Sequence, residues 1–122
     1  MSATIETAPV KPTITLDDLD KIDIRVGRIV AVDDVEASKK LIKMTVDFGG
    51  FTRTILSGMK EEREDCKGEL EGRQALFVVN LAPRKMAGEL SEGMIYDIGY
   101  EDGILPALAI PEREVPDGVR LG

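Results

Sequence analysis

A chain of 122 residues with 23 acidic and 16 basic side chains, a net charge of −7 and no histidine suits one domain whose core buries about two-thirds of the unfolded surface. The single cysteine, Cys66, excludes an intramolecular disulfide, and the missing imidazole removes Ser-His and Cys-His nucleophile pairs, the usual zinc sites and histidine acid–base chemistry. An enzyme is therefore not expected, nor a metal or other cofactor, and the negative total speaks against a nonspecific nucleic-acid binder coated in cations.

No apolar run approaches the ~20 residues of a membrane span, and residues 1–12 lack the basic start and apolar centre of a secretory signal. A cytoplasmic protein without membrane contact is expected, in keeping with a lone thiol in a reducing compartment. Charge is unevenly spread. Acidic residues crowd 17–23, 33–36, 61–71 and the stretch beyond 101, whereas Lys39, Lys40, Lys43, Arg53, Arg84 and Lys85 sit elsewhere, which leaves room for a segregated basic patch.

In chain order, residues 1–13 hold two prolines and little periodicity and read as a mobile tail ahead of one domain over 14–122. Thr15 or Asp17 can cap a helical turn through Leu19, with Asp17 and Asp18 at its positive end. Residues 20–35 read as a strand: Ile22, Ile24 and Val26 alternate with Lys21, Asp23 and Arg25. Gly27 interrupts the alternation, which predicts a bulge or sharp bend. Residues 41–48 place Ile42, Met44, Val46 and Phe48 on one face. Gly49-Gly50 supplies positive φ for a tight hairpin, and residues 51–57 return antiparallel. The charged run 60–67 reads as a helical turn or loop in which Cys66 tucks inward. Residues 75–79 form an apolar run suited to a strand buried on both faces.

Residues 80–94 hold the densest cluster of features that packing does not require. Pro83 ends the preceding strand, and Arg84 and Lys85 follow on a loop, with an exposed methionine, before Met94, Tyr96, Ile98 and Tyr100 alternate in a further strand. Residues 104–110 form an apolar strand interrupted by Pro106, with more hydrophobic surface than a small barrel edge leaves in water, which predicts a homodimer. Short strands with glycine punctuation, one short helix and a bulged first strand describe an all-β fold: a five-stranded OB-fold barrel with a C-terminal β extension. On such a barrel a binding groove would be rimmed by residues 39–43, 53–57 and 80–91. Arg84 offers a planar fork for phosphate, Lys40 and Lys85 point charges, and Asn80 and Ser91 hydrogen bonds to a base or ribose. For each residue a plain structural role stays open: a wet strand face for Lys40 and Lys43, a backbone bond for Asn80, core filling for Met86 and Met94. Only five aromatic residues are present, too few for serial base stacking, so a folded RNA is a better ligand than a long single strand.

Four motifs in series then resemble a family: Asp23-Ile-Arg-Val-Gly27; Lys40-Leu41 leading into Val46-Asp47-Phe48-Gly49; Arg53-Thr-Ile-Leu-Ser57-Gly58; and Asn80-Leu-Ala-Pro-Arg84-Lys85-Met86 followed by Ser91-Glu-Gly93-Met94. Over about residues 15–122 the chain is similar to the tRNA-binding domain, found in free-standing tRNA-binding proteins, as the C-terminal appendix of methionyl-tRNA synthetases, in EMAP II-type domains and in CsaA-like export chaperones. The resemblance implies an OB-fold with a C-terminal extension, a homodimer, and non-catalytic binding of tRNA by its shape and phosphates. Residue by residue it points to Lys40, Arg53, Ser57, Asn80, Arg84, Lys85, Met86, Ser91 and Met94. The chain departs from the family at Val35-Glu-Ala-Ser-Lys-Lys40, which keeps only the alanine and final lysine of a His-Pro-x-Ala-Asp-Lys segment. A CsaA-like peptide-binding chaperone is the alternative, and a module that brings an aminoacyl-tRNA synthetase to RNA a third reading.

Overall fold

The computed structural model describes residues 5–122, so the expected tail lies partly outside it; residues 5–13 are exposed and carry no regular structure. Helix α1 (Leu16–Leu19) is a single turn with a reciprocal cap, the Thr15 hydroxyl accepting the Asp18 N–H and the Asp18 carboxylate the Thr15 N–H. The turn continues far enough for the Asp20 and Ile22 N–H groups to bond back to Leu16 and Leu19. The first strand therefore starts later than the alternation from residue 20 suggests.

That strand, β1 (Ile24–Asp34), is the spine. Its second half pairs antiparallel with β2 (Ile42–Asp47), which turns back as β3 (Thr52–Ser57) through an unbroken register from Ile42↔Ser57 to Asp47↔Thr52. In the hairpin turn only Gly49 takes a positive φ, +86°. A 3-10 turn (Lys60–Glu62) and α2 (Cys66–Leu70) follow, so this connection holds two short helical pieces where one was expected. Strand β4 (Gln74–Val78) then pairs antiparallel with the first half of β1 and is buried along nearly its whole length, as its apolar run predicts.

The bend in β1 is real but sits three residues past the glycine. Register slips between Ile29 and Ala31, and Val30 is turned out to solvent. Gly27 has another cause: a Cβ there would stand 2.5 Å from Val46 Cγ1 and 2.7 Å from Phe48 Cε1, so the glycine lets the sheet curl over its own core.

Closure comes from the other edge. The chain from β4 forms a small hairpin, β5 (Arg84–Met86) and β6 (Glu89–Ser91), then β7 (Met94–Ile95), which pairs with β4. Just before β7 the Glu92 N–H donates to Thr54 O of β3 at 2.8 Å. The sheet order β3-β2-β1-β4-β7 thus nearly closes on itself into an OB-like, five-stranded antiparallel barrel. Phe77, Ile29, Ile42, Met44, Ile55, Leu70 and Val46 fill it, all fully buried.

The C-terminal extension is shorter-stranded than its apolar pattern suggests. Only β8 (Asp97–Ile98) and β9 (Ala107–Leu108) pair, because Pro106 has no N–H to extend the ladder and the Tyr96 N–H is spent on Leu76 O at 2.9 Å. Beyond it, Arg28 grips Glu114 and Asp117, and the Gln74 amide donates to Val115 O at 2.6 Å, strapping the chain end to the barrel. No helix among the described residues is long and apolar enough to cross a membrane.

Candidate nucleic-acid interface

The stretch expected to be a loop after Pro83 is a two-stranded hairpin. Ala87 and Gly88 make its tight turn with φ of +49° and +83°, between Met86 and Glu89, which pair. A strand alternates its side chains, so Arg84 and Met86 turn to one face and Lys85 to the other. Arg84 and Met86 line an open groove of about 680 Å³, together with Ser57, Ser91 and Met94. The hairpin is tied down by an ion pair between Lys43 and Glu89 at 2.8 Å, which raises the Lys43 pKa and commits that ammonium to structure.

The Ser-x-Gly-Met motif has a mechanical reading. Ser91 is buried; its Oγ accepts the Leu56 N–H at 3.0 Å and donates to Gly93 O at 3.2 Å, joining β6 to β3. A Cβ at Gly93 would meet Val78 O at 2.8 Å, so only glycine lets the chain pass there. Met94 follows, exposed on the groove wall.

The remaining candidates do not line this groove. Asn80 accepts the Asp23 N–H at 2.9 Å and donates to Lys21 O at 2.7 Å, fastening the start of β1 to the end of β4. Arg53 is half-buried; its guanidinium donates to Val79 O and Glu92 O, and it sits 5.2 Å over the Phe51 ring. It stands four residues before Ser57, about 13 Å along the strand, and does not line the groove, although its partner Glu92 lies between Ser91 and Gly93, which do. Lys40 is exposed in a turn held by Ser38 Oγ, and its carbonyl accepts the Lys60 N–H, which places its backbone near the groove end of β3. Lys85 is exposed beside the groove. Five of the nine candidates therefore converge, two flank them, and Arg53 and Asn80 do not join.

Sequence reasoning missed the groove's acidic and apolar floor. Glu62 and Asp97 both line it, 35 residues apart in sequence, along with Met59 and Tyr100. Burial first, and then the Asp97 charge, push the Glu62 carboxyl above the usual range, against a smaller pull from Arg63. No linear spacing announces such a pair, since it forms only when the 3-10 turn packs beside β8. One guanidinium, two carboxylates and a methionine-rich wall make a pocket able to grip a planar anion at one end and apolar groups along its length.

The tRNA binding domain family matches residues 24–120, spanning the barrel and its extension. The chain belongs to this family. The match begins at the first residue of β1 and ends at Arg120, so the C-terminal strap is part of the domain and not an addition to it. Among curated relatives, the methionine–tRNA ligase of Clostridium acetobutylicum is 40% identical over 121 residues; the match covers 97% of this chain but only 18% of that protein. Two solved structures share the fold over nearly the whole chain. A methionyl-tRNA synthetase-related protein from Pyrococcus horikoshii has a TM-score of 0.83 at 37% identity, covering 92% of this chain and 100% of that one. The CsaA chaperone protein of Picrophilus torridus has a TM-score of 0.76 at 29% identity, covering 90% and 100% respectively.

Proposed function

We propose that this tRNA-binding domain protein is non-catalytic and recognises structured RNA, tRNA above all, by shape and phosphate contacts. The observation that carries the reading is the family match over 24–120, which takes in the hairpin that presents Arg84 and Lys85. In this reading Lys40, Arg84 and Lys85 contact phosphates, Ser57, Met86 and Met94 line the bound surface, and Arg53, Asn80 and Ser91 hold the frame. A folded unit over 14–122 behind an N-terminal tail, a homodimer in the cytoplasm, and association with an aminoacyl-tRNA synthetase complete it. The dimer is supported by exposed apolar side chains on the extension, Ile98, Tyr100, Leu105 and Ile110. A filter-binding titration with total tRNA tests the function: association should weaken with salt at about −0.7 to −0.9 log units per phosphate neutralised, and Arg84→Glu should lower that slope by at least one such unit. A salt-indifferent complex, or none, overturns it.

A second reading, a peptide-binding chaperone, is favoured by one feature of the groove. Its wall is apolar and its carboxylates, Glu62 and Asp97, repel phosphate while suiting a cationic peptide. That reading expects suppression of aggregation of an unfolded client without RNA, lost in Met94→Asp.

A further inference from the structure

The end of the barrel away from α2, where β1 begins, β2 ends and β3 begins, holds a cluster that the groove leaves out. The guanidinium carbons of Arg53 and Arg25 lie 5.2 Å and 5.8 Å from the centroid of the Phe51 ring. Phe51 stacks on the buried Phe48 at 5.2 Å and stays partly open to solvent. The chain end folds back onto the same place: the Val26 N–H donates to Val119 O at 3.0 Å and the Leu121 N–H to Ile24 O at 2.9 Å. This sets Arg120 directly across from Arg25 in an antiparallel bridge.

Directly opposed residues in an antiparallel pair share a face, and like charges there weaken the pairing. A single carboxylate answers the three arginines. Asp23 accepts both arms of the Arg25 fork, at 3.0 and 3.1 Å, and its pKa is held down first by that hydrogen bond and least by the nearby Arg120 charge. Arg53 and Arg120 have no carboxylate within ion-pair distance among the described residues. Two uncompensated positive charges thus gather at one point of a chain whose total is −7. Closing a barrel end asks only for apolar or neutral side chains, so Arg120, set against Arg25 with no carboxylate of its own among the described residues, is better matched to an anion from outside. An open depression of about 590 Å³, bounded by Arg25 and residues 118–122, gives it room.

We propose that this end of the barrel is a second phosphate-binding site, in which Arg25 and Arg120, beside the Arg53–Phe51 stack, hold the backbone of the bound RNA outside the groove that Arg84 lines. The inference rests on the RNA-binding reading above and lengthens its footprint from the hairpin to the chain terminus. The 122-residue chain is titrated with total tRNA across a salt series, as wild type, Arg25→Gln, Arg120→Gln, the double variant and Arg25→Lys. Each glutamine should cut the salt slope by about 0.7–0.9 and weaken binding about fivefold to eightfold near 100 mM salt, while the lysine keeps the slope. Arg120 is exposed, so Arg120→Gln should leave the thermal midpoint unmoved and its binding loss should not be one of folding. Wild-type slopes and affinities in both glutamine variants, beside a weakened Arg84→Glu, would overturn this site and leave the RNA reading standing. Absence of salt-sensitive binding in the wild type would overturn both. Binding of inorganic phosphate that the double variant loses, with the tRNA slope unchanged, would mean a free anion and refute the RNA assignment.

Discussion

Removing the Ser91 hydroxyl separates a structural role from an RNA contact. Ser91→Ala deletes the acceptor of the Leu56 N–H and the donor to Gly93 O, and both Ser91 and Leu56 are less than 5% exposed. Water cannot easily replace the lost partner, so a buried N–H is left unsatisfied, at about 1–3 kcal/mol. For a domain of this size each kcal/mol moves the thermal midpoint by about 3–5 °C, between the values for smaller and larger domains. The variant should therefore melt roughly 3–15 °C lower by circular dichroism, the range following from that hydrogen-bond cost. Below its midpoint it should bind tRNA with an unchanged salt slope, because no cation is lost. An unmoved midpoint with reduced RNA affinity would refute the reasoning and return Ser91 to the ligand.

Ala87 occupies a left-handed φ of +49° just before Gly88, a position that favours asparagine or glycine. Ala87→Asn should gain about 1 kcal/mol, seen as a midpoint a few degrees higher; a lower midpoint would contradict the turn geometry. Glu62 has its carboxyl raised in the fold by burial and by Asp97. Folding then favours its protonated form, so its contribution is fully present below the ordinary value of 4.5 and is lost as pH rises through the higher folded value. Glu62→Gln should accordingly be more stable than wild type at neutral pH, with the advantage vanishing below pH 4.5; a constant offset across pH would exclude the titration.

The strands were legible where one face is buried and the other wet. Ile42, Met44 and Val46 give β2 away, and the apolar run of β4 announces a strand covered on both sides. The β5–β6 hairpin was not, because Ala87-Gly88 lacks the Asn or Asp that marks such turns and the strands have three residues each. The extension misled for a related reason: Ile98 and Tyr100 alternate as a core face would, yet both are exposed and Ile95 is the buried residue. Of the candidate side chains, Arg53 could have been set apart by parity together with its place at the start of β3, since Ser57 shares its face but ends the strand. It shares the inward face with Ile55 and stands opposite the buried Val46, so its guanidinium had to emerge at the barrel end. The Glu62–Asp97 pair had no such clue.

The net charge of −7 is a poor guide to what this surface binds, because a phosphate responds to charges within a Debye length, about 8 Å at physiological salt. Within that range the assignment of carboxylates matters more than their number. Asp18, Asp34, Glu71, Glu89 and Glu114 each hold a cation that belongs to the frame: Lys21, Lys60, Lys67, Lys43 and Arg28. Lys40, Arg84, Lys85, Arg53 and Arg120 are left without such partners among the described residues. Glu62 and Asp97 stand in the same groove as Arg84 and oppose a phosphate there, whereas the acidic residues elsewhere repel a polyanion from other approaches, which narrows how an RNA can settle. The two cationic ends of β3, about 13 Å apart along the strand, lie beyond mutual screening distance. Losses at Arg84 and at Arg120 should then combine additively, as expected for contacts that share no partner.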